Sequence, residues 1–89
     1  YNESIIPIIK NVDVLYHEST FLDSHESLCA TTGHSTARQA ATIALKASVG
    51  RLILGHFSSR YKNKNLFELE AKTVFTNVDL AEDTKFYFL

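Results

Sequence analysis

The sequence contains no methionine, and it opens on Tyr1-Asn2-Glu3-Ser4. This start leads us to expect a fragment of a longer protein, although a processed or trimmed start would look the same. It has one cysteine, Cys29, so no internal disulfide can form and nothing points to a secreted, disulfide-stapled scaffold. It has no basic excess: nine Lys and Arg against ten Asp and Glu leave a formal charge of -1. Taken alone, that balance argues against a general nucleic-acid-binding module, whose footprint is a basic patch. No apolar run approaches the roughly 18 residues of a transmembrane helix. No signal peptide, repeat or low-complexity segment is present. No His-x-His or Cys-x-x-Cys pair occurs, so the chain carries no complete metal site of its own.

What is present fits one small α/β domain, or part of a larger one, in 89 residues. The clearest element is Leu52-Ile53-Leu54 between Gly50 and Gly55, a short apolar run that reads as a buried strand. It leads directly into His56-Phe57-Ser58-Ser59-Arg60-Tyr61. Asp13-Val14-Leu15-Tyr16-His17-Glu18 has the same form, a buried strand ending in polar residues. Between them, Thr36 to Ser48 reads as a helix, with Thr36 and Gln39 spaced as a capping box. Ala37, Ala40, Ala41, Ala44 and Ser48 give it a small-residue face suited to close packing on a sheet. Gly50 stands where a C-terminal glycine should terminate it. The segments 13–18, 36–48 and 52–55 therefore make a βαβ unit with parallel strands.

That topology gathers polar groups. The strand ends carrying His17-Glu18 and His56 fall on one rim, and His34 lies in the loop before the crossover helix. His56 is either a metal ligand or general base, or a hydrogen-bonded structural histidine. His34 could shuttle a proton with Glu18 holding its tautomer; the plainer alternative is a residue that packs the helix entry. Arg60 could grip a phosphate by its forked guanidinium, or be a solvated surface arginine. Tyr61 reads as packing, and His25 and Glu26 as solvated loop residues.

Elsewhere the signals are weaker. Residues 1–12 read as a turn or two of helix around Pro7, or as an extended connection. Residues 21–35 read as a long connection, part of it helical. Asn65 can cap a helix from Leu66 to about Phe75, with Glu68 at the capping-box position. Residues 76–79 read as a turn, and Lys85 to Leu89 as a terminal strand. His17-Glu18-Ser19-Thr20-Phe21 is not a zincin motif, because Phe21 stands where the second histidine belongs. Gly33-His34-Ser35-Thr36-Ala37 has the outline of a nucleophile elbow but lacks a convincing preceding strand. Cys29 lies near His34, but nothing else supports a thiol nucleophile.

His17-Glu18-Ser19-Thr20, Gly33-His34-Ser35-Thr36, Gln39-Ala40-Ala41 and Leu52 to Tyr61 together resemble the C-terminal third of ribonuclease Z. That family is a metallo-β-lactamase-fold endonuclease that removes 3′ trailers from tRNA precursors. The resemblance runs from about residue 5 to the end, takes in the later Glu70-Ala71 and Phe75, and its motifs fall in the family's order and spacing. It implies the C-terminal portion of an αβ/βα sandwich, with residues 1–89 forming part of a single domain. It implies that His56 is a zinc ligand, that Glu18 and His34 transfer a proton to the leaving oxygen, and that Arg60 contacts RNA. Ser19 replaces the family's usual alanine. The remaining ligands for two zinc ions, and the arm that grips tRNA, would lie outside this chain, which would then be inactive alone. Precursor tRNA, the rest of the same domain and a second copy in a homodimer are the implied partners, in the cytoplasm and away from membrane. The alternatives are another metallo-β-lactamase-fold phosphodiesterase or sulfatase, and a non-catalytic binding or dimerisation module.

Overall fold

The computed structural model describes residues 3–81. After a 3-10 turn at Glu3–Ile5, the elements are α1 (Ile6–Ile9), β1 (Val14–Glu18), a second 3-10 turn (Asp23–His25) and α2 (Glu26–Thr32). Then come α3 (Ala37–Ala47), β2 (Arg51–Gly55), α4 (Asn65–Lys72) and β3 (Val78–Leu80). Among the described residues the sheet has three strands in the order β1-β2-β3, with both pairings parallel. The expected βαβ unit is β1, α3 and β2.

The period-2 pattern of the strands sets the layers. Leu15, Leu52 and Val78 align across the sheet, as do Leu54 and Leu80. Leu52 and Leu54 are fully buried, while Val14 and Tyr16 on the alternate positions of β1 are 50% and 42% exposed. Among the described residues, helices therefore cover one face of the sheet and leave the other open. On the covered side, Ala37, Ala40, Ala41, Ala44 and Ala47 are all at 0% exposure. With no side chain beyond a methyl, they let α3 lie close on the sheet. Phe67 of α4 fills the space beside them, packed against Phe57 and Tyr61 with ring centroids 4.6 and 5.1 Å away.

Local chemistry explains where α3 starts and stops. Thr36 Oγ1 accepts from the Gln39 amide at 3.1 Å, and Gln39 Oε1 accepts from the Thr36 amide at 2.9 Å, closing the expected capping box. The helix ends on Ser48 in the left-handed region at φ 54° rather than on Gly50. Gly50 serves a different purpose: a Cβ there would sit 2.7 Å from the Asp13 carbonyl oxygen, where the chain enters β1. The glycine that does terminate a helix is Gly33, at φ 75° after α2.

Three other expectations shift. The cap of α4 is Lys64, without a side-chain bond, and it is Asn63 Oδ1 that accepts from the Asn65 amide at 3.0 Å. Lys64 Nζ instead donates to the carbonyls of Ser58 and Tyr61, at 3.1 and 2.6 Å. Val78 and Asp79, expected in a turn, belong to β3, because the apolar Val78 completes the row over Leu52. His25, expected to be solvated, has its Nδ1 2.5 Å from the Tyr61 hydroxyl. The terminal strand expected at 85–89 lies outside the described residues.

Candidate active site

The rim is stitched together by backbone bonds between segments distant in sequence. The Ser19 amide donates to the Gly55 carbonyl at 2.8 Å, continuing the β1–β2 ladder one step past the strand ends. The Phe21 amide donates to Ser35 O at 3.3 Å and the Ala37 amide to Phe21 O at 3.1 Å, forming a parallel bridge to the start of α3. The Ser58 amide donates to Thr20 O at 2.9 Å. Thr20 and its neighbours thus lie between the segment entering α3 and the segment leaving β2. Ser19, Thr20, Ser35 and Thr36 are all buried here.

This stitching brings Glu18, His34 and His56 together. A ligating atom from each lies within 4.8 Å of the others. The imidazoles of His34 and His56 stack, with centroids 5.2 Å apart and planes 27° apart. His56 is exposed, with its backbone in the left-handed region at φ 59°. A non-glycine residue pays about 1–2 kcal/mol for that conformation, and such strain gathers where geometry serves function. It turns the chain sharply out of β2 at the rim.

Glu18 is held by several donors. Its Oε2 accepts from the Thr20 amide at 3.0 Å and from the Thr20 hydroxyl at 2.6 Å. Its Oε1 accepts from the Ser35 amide at 2.5 Å. A carboxylate offers about four lone-pair sites, so little capacity remains free. The remaining neighbour is His34, whose Nδ1 lies 3.5 Å from Oε2. Glu18 thus faces His34 with most of its acceptor sites already taken by backbone amides and the Thr20 hydroxyl.

The other sequence candidates are peripheral. His17 stands apart from the cluster, with Nδ1 2.7 Å from the Glu18 carbonyl oxygen. Arg60 is exposed, its guanidinium carbon 5.7 Å from the Phe21 ring centroid. Phe21 in turn meets the His34 ring edge-on at 6.2 Å, so the cation lies one residue away from the cluster. Cys29 is buried, and burial, then the charge of Glu18, pushes its thiol pKa up. A raised pKa removes the thiolate a nucleophile needs.

Two contributors were legible only through the resemblance to ribonuclease Z. Thr20 was legible only as part of a motif. Glu70 of α4 accepts from the Asp23 amide with Oε1 and from the Arg38 amide with Oε2, each at 2.9 Å. It thereby ties α4 to the first turn of α3 and to the loop after β1. Nothing in the local spacing of residue 70 announces these long-range bonds.

A ribonuclease Z from Cytophaga hutchinsonii is 52% identical over 87 residues, which are 97% of this chain and 28% of that protein. The chain matches one part of ribonuclease Z. A second ribonuclease Z, from Parabacteroides distasonis, is 48% identical over 93% of this chain and 27% of its own length. A third, from Salinibacter ruber, is 46% identical over 92% and 26%. The chain thus spans little more than a quarter of the length of these ribonuclease Z relatives. Among solved structures, the metallo-β-lactamase fold protein YhfI from Bacillus subtilis superposes with a TM-score of 0.85 at 32% identity, over 92% of this chain and 33% of that one. The short form of human tRNase Z superposes with a TM-score of 0.69, also at 32% identity, over 93% and 27%. No family model matches the chain. The three-stranded parallel sheet with its helices is accordingly part of a metallo-β-lactamase fold. No helix among the described residues is long and apolar enough to cross a membrane.

The cluster fits a metal ion in its donor chemistry. Imidazole nitrogens are common ligands of zinc and related metals, and a ligating histidine usually gives its other ring nitrogen a hydrogen-bond partner. His56 meets both requirements, since its Nδ1 lies 2.9 Å from the Thr20 hydroxyl. One or two imidazoles do not complete a four-ligand site, so further ligands would come from elsewhere.

Proposed function

We propose that the chain is the C-terminal part of a metal-dependent endoribonuclease that removes 3′ trailers from precursor tRNA. The observation that carries this reading is the meeting of Glu18, His34 and His56 on one rim, in a chain 52% identical to a ribonuclease Z. In this reading His56 holds a zinc ion through Nε2, as one ligand of a site whose others lie in the rest of the same domain. The metal, when bound, supplies water activation and charge stabilisation for phosphodiester hydrolysis.

The chain's own residues do the remaining work. His34, oriented by Glu18, gives its Nε2 proton to the leaving 3′ oxygen. Glu18 stabilises the charged imidazole that precedes this transfer and holds the ring in place. Arg60, beside Phe21, pairs with a phosphate of the RNA near the cut. The open face bearing Val14 and Tyr16 is where the rest of the domain packs. That half-covered sheet also explains why the isolated chain would be inactive. A homodimer and a cytoplasmic location accompany this reading.

The rival reading is another metallo-β-lactamase-fold phosphodiesterase or sulfatase, since YhfI, a protein described only by that fold, gives the tighter superposition of the two. The discriminating experiment gives the full-length protein a precursor tRNA and a small chromogenic phosphodiester. Preference for the precursor tRNA, with trailer release, supports the proposal. Efficient hydrolysis of the diester with no cut in the tRNA overturns it in favour of the rival.

A further inference from the structure

Thr20 is 6% exposed, and its side chain stands between two members of the cluster. Its Oγ1 lies 2.6 Å from Glu18 Oε2 and 2.9 Å from His56 Nδ1. A hydroxyl has one proton to give. An ionised carboxylate can only accept, so that proton is committed to Glu18. Toward His56, the hydroxyl oxygen can then only accept, and the proton in that bond must belong to Nδ1. The sequence of donors runs from His56 Nδ1 to Thr20 Oγ1 to Glu18 Oε2, and its direction is set by the carboxylate at its end.

We infer that Thr20 is a positioning residue that fixes His56 as the Nδ1–H tautomer and so presents Nε2, with its lone pair, at the rim. This rests on the proposed metal-ligand role of His56, but the tautomer itself follows from the hydrogen bonds. Neutral imidazole free in water places its proton on either nitrogen, so a site needing Nε2 as ligand benefits from a fixed acceptor at Nδ1. The same Thr20 also donates its backbone amide to Glu18 Oε2 at 3.0 Å and accepts from the Ser58 amide at 2.9 Å. Those backbone bonds hold Thr20 against both the Glu18 carboxylate and the loop that follows His56. One hydroxyl thereby couples the carboxylate that orients His34 to the imidazole stacked on it.

The test uses the full-length protein with histidine labelled in its ring nitrogens. Long-range nitrogen–proton NMR spectra of the zinc-free protein, at a pH where His56 is neutral, read which nitrogen carries the proton. Spectra of His56→Ala identify the His56 signals. We expect Nδ1–H in the wild type and in Thr20→Ser, which keeps the hydroxyl. We expect Thr20→Val to lose that preference and to bind zinc about 10- to 100-fold more weakly by chelator competition, the usual effect of removing a ligand's supporting partner. A purely structural role for Thr20 would not move the tautomer. An Nε2–H tautomer in the wild type overturns the inference, and so does a Thr20→Val protein with wild-type zinc affinity and tautomer. If His56→Ala binds zinc as tightly as the wild type while the wild-type signal is Nδ1–H, the metal-ligand reading fails and the tautomer assignment stands.

Discussion

His34 and His56 stack with their ring centroids 5.2 Å apart, although one precedes α3 and the other follows β2. The crossover between them is what makes this contact possible. A parallel β1–β2 pair must have both strand ends on one edge, and a helix joining them must start at that same edge. Two imidazoles side by side are costly if both are charged, so the pair suits different tasks. One ring faces a carboxylate 3.5 Å away and the other is hydrogen-bonded to a hydroxyl.

Glu18→Gln in the full-length protein should lower precursor-tRNA cleavage by about 10²–10⁴-fold, the usual range for losing general acid–base function. The amide would turn a donor toward groups that are themselves donors at Thr20 or Ser35. Single-turnover cleavage rates measure this directly. An unchanged rate would remove Glu18 from the proton-transfer machinery.

Glu70→Ala should destabilise the protein by about 1–2 kcal/mol, in line with loss of a helix cap. Its carboxylate satisfies the Arg38 amide in the first turn of α3 and the Asp23 amide before α2. Glu70→Gln, which keeps the acceptor oxygens in part, should fall between the two. Denaturant titration with unchanged slope would check both.

Phe67→Ala should cost about 3–5 kcal/mol, because the ring is fully buried between Phe57 and Tyr61. The same titration would report it. A cost under 1 kcal/mol would mean that α4 does not pack as described.

Cys29 should resist thiol reagents in the folded protein and react fully once it is unfolded. Burial raises its pKa above the ordinary thiol value of about 8.5. The sign for stability follows. Above that ordinary value the unfolded chain gives up the thiol proton while the folded chain keeps it. The native state then binds more protons, so Cys29 makes stability fall as pH rises. Cys29→Ala should remove that contribution and leave cleavage intact. Fast labelling of the native protein would contradict the burial.

Much of the site was legible in the sequence because topology did the work. Two short apolar runs ending in polar residues, joined by a helix with a Thr36–Gln39 box, suffice to predict where Glu18, His34 and His56 meet. What stayed hidden depends on long-range contacts. The role of Gly50 lies in its approach to the Asp13 carbonyl, not in the helix before it. The strand at Val78 is too short for a periodic signal and exists because β2 offers it a free edge. The bonds of Glu70 join α4 to two segments far away in sequence. The hydroxyl of Thr20 gains its meaning only when His56 arrives beside it.

The most direct test of the site is the metal content of two variants of the full-length protein, measured by atomic emission. His34→Ala should keep its zinc and lose cleavage, because in the proposed function His34 moves a proton, whereas His56→Ala should lose zinc. Zinc lost from His34→Ala would make His34 a ligand, and zinc retained in full by His56→Ala would contradict the assignment of this rim as a metal site.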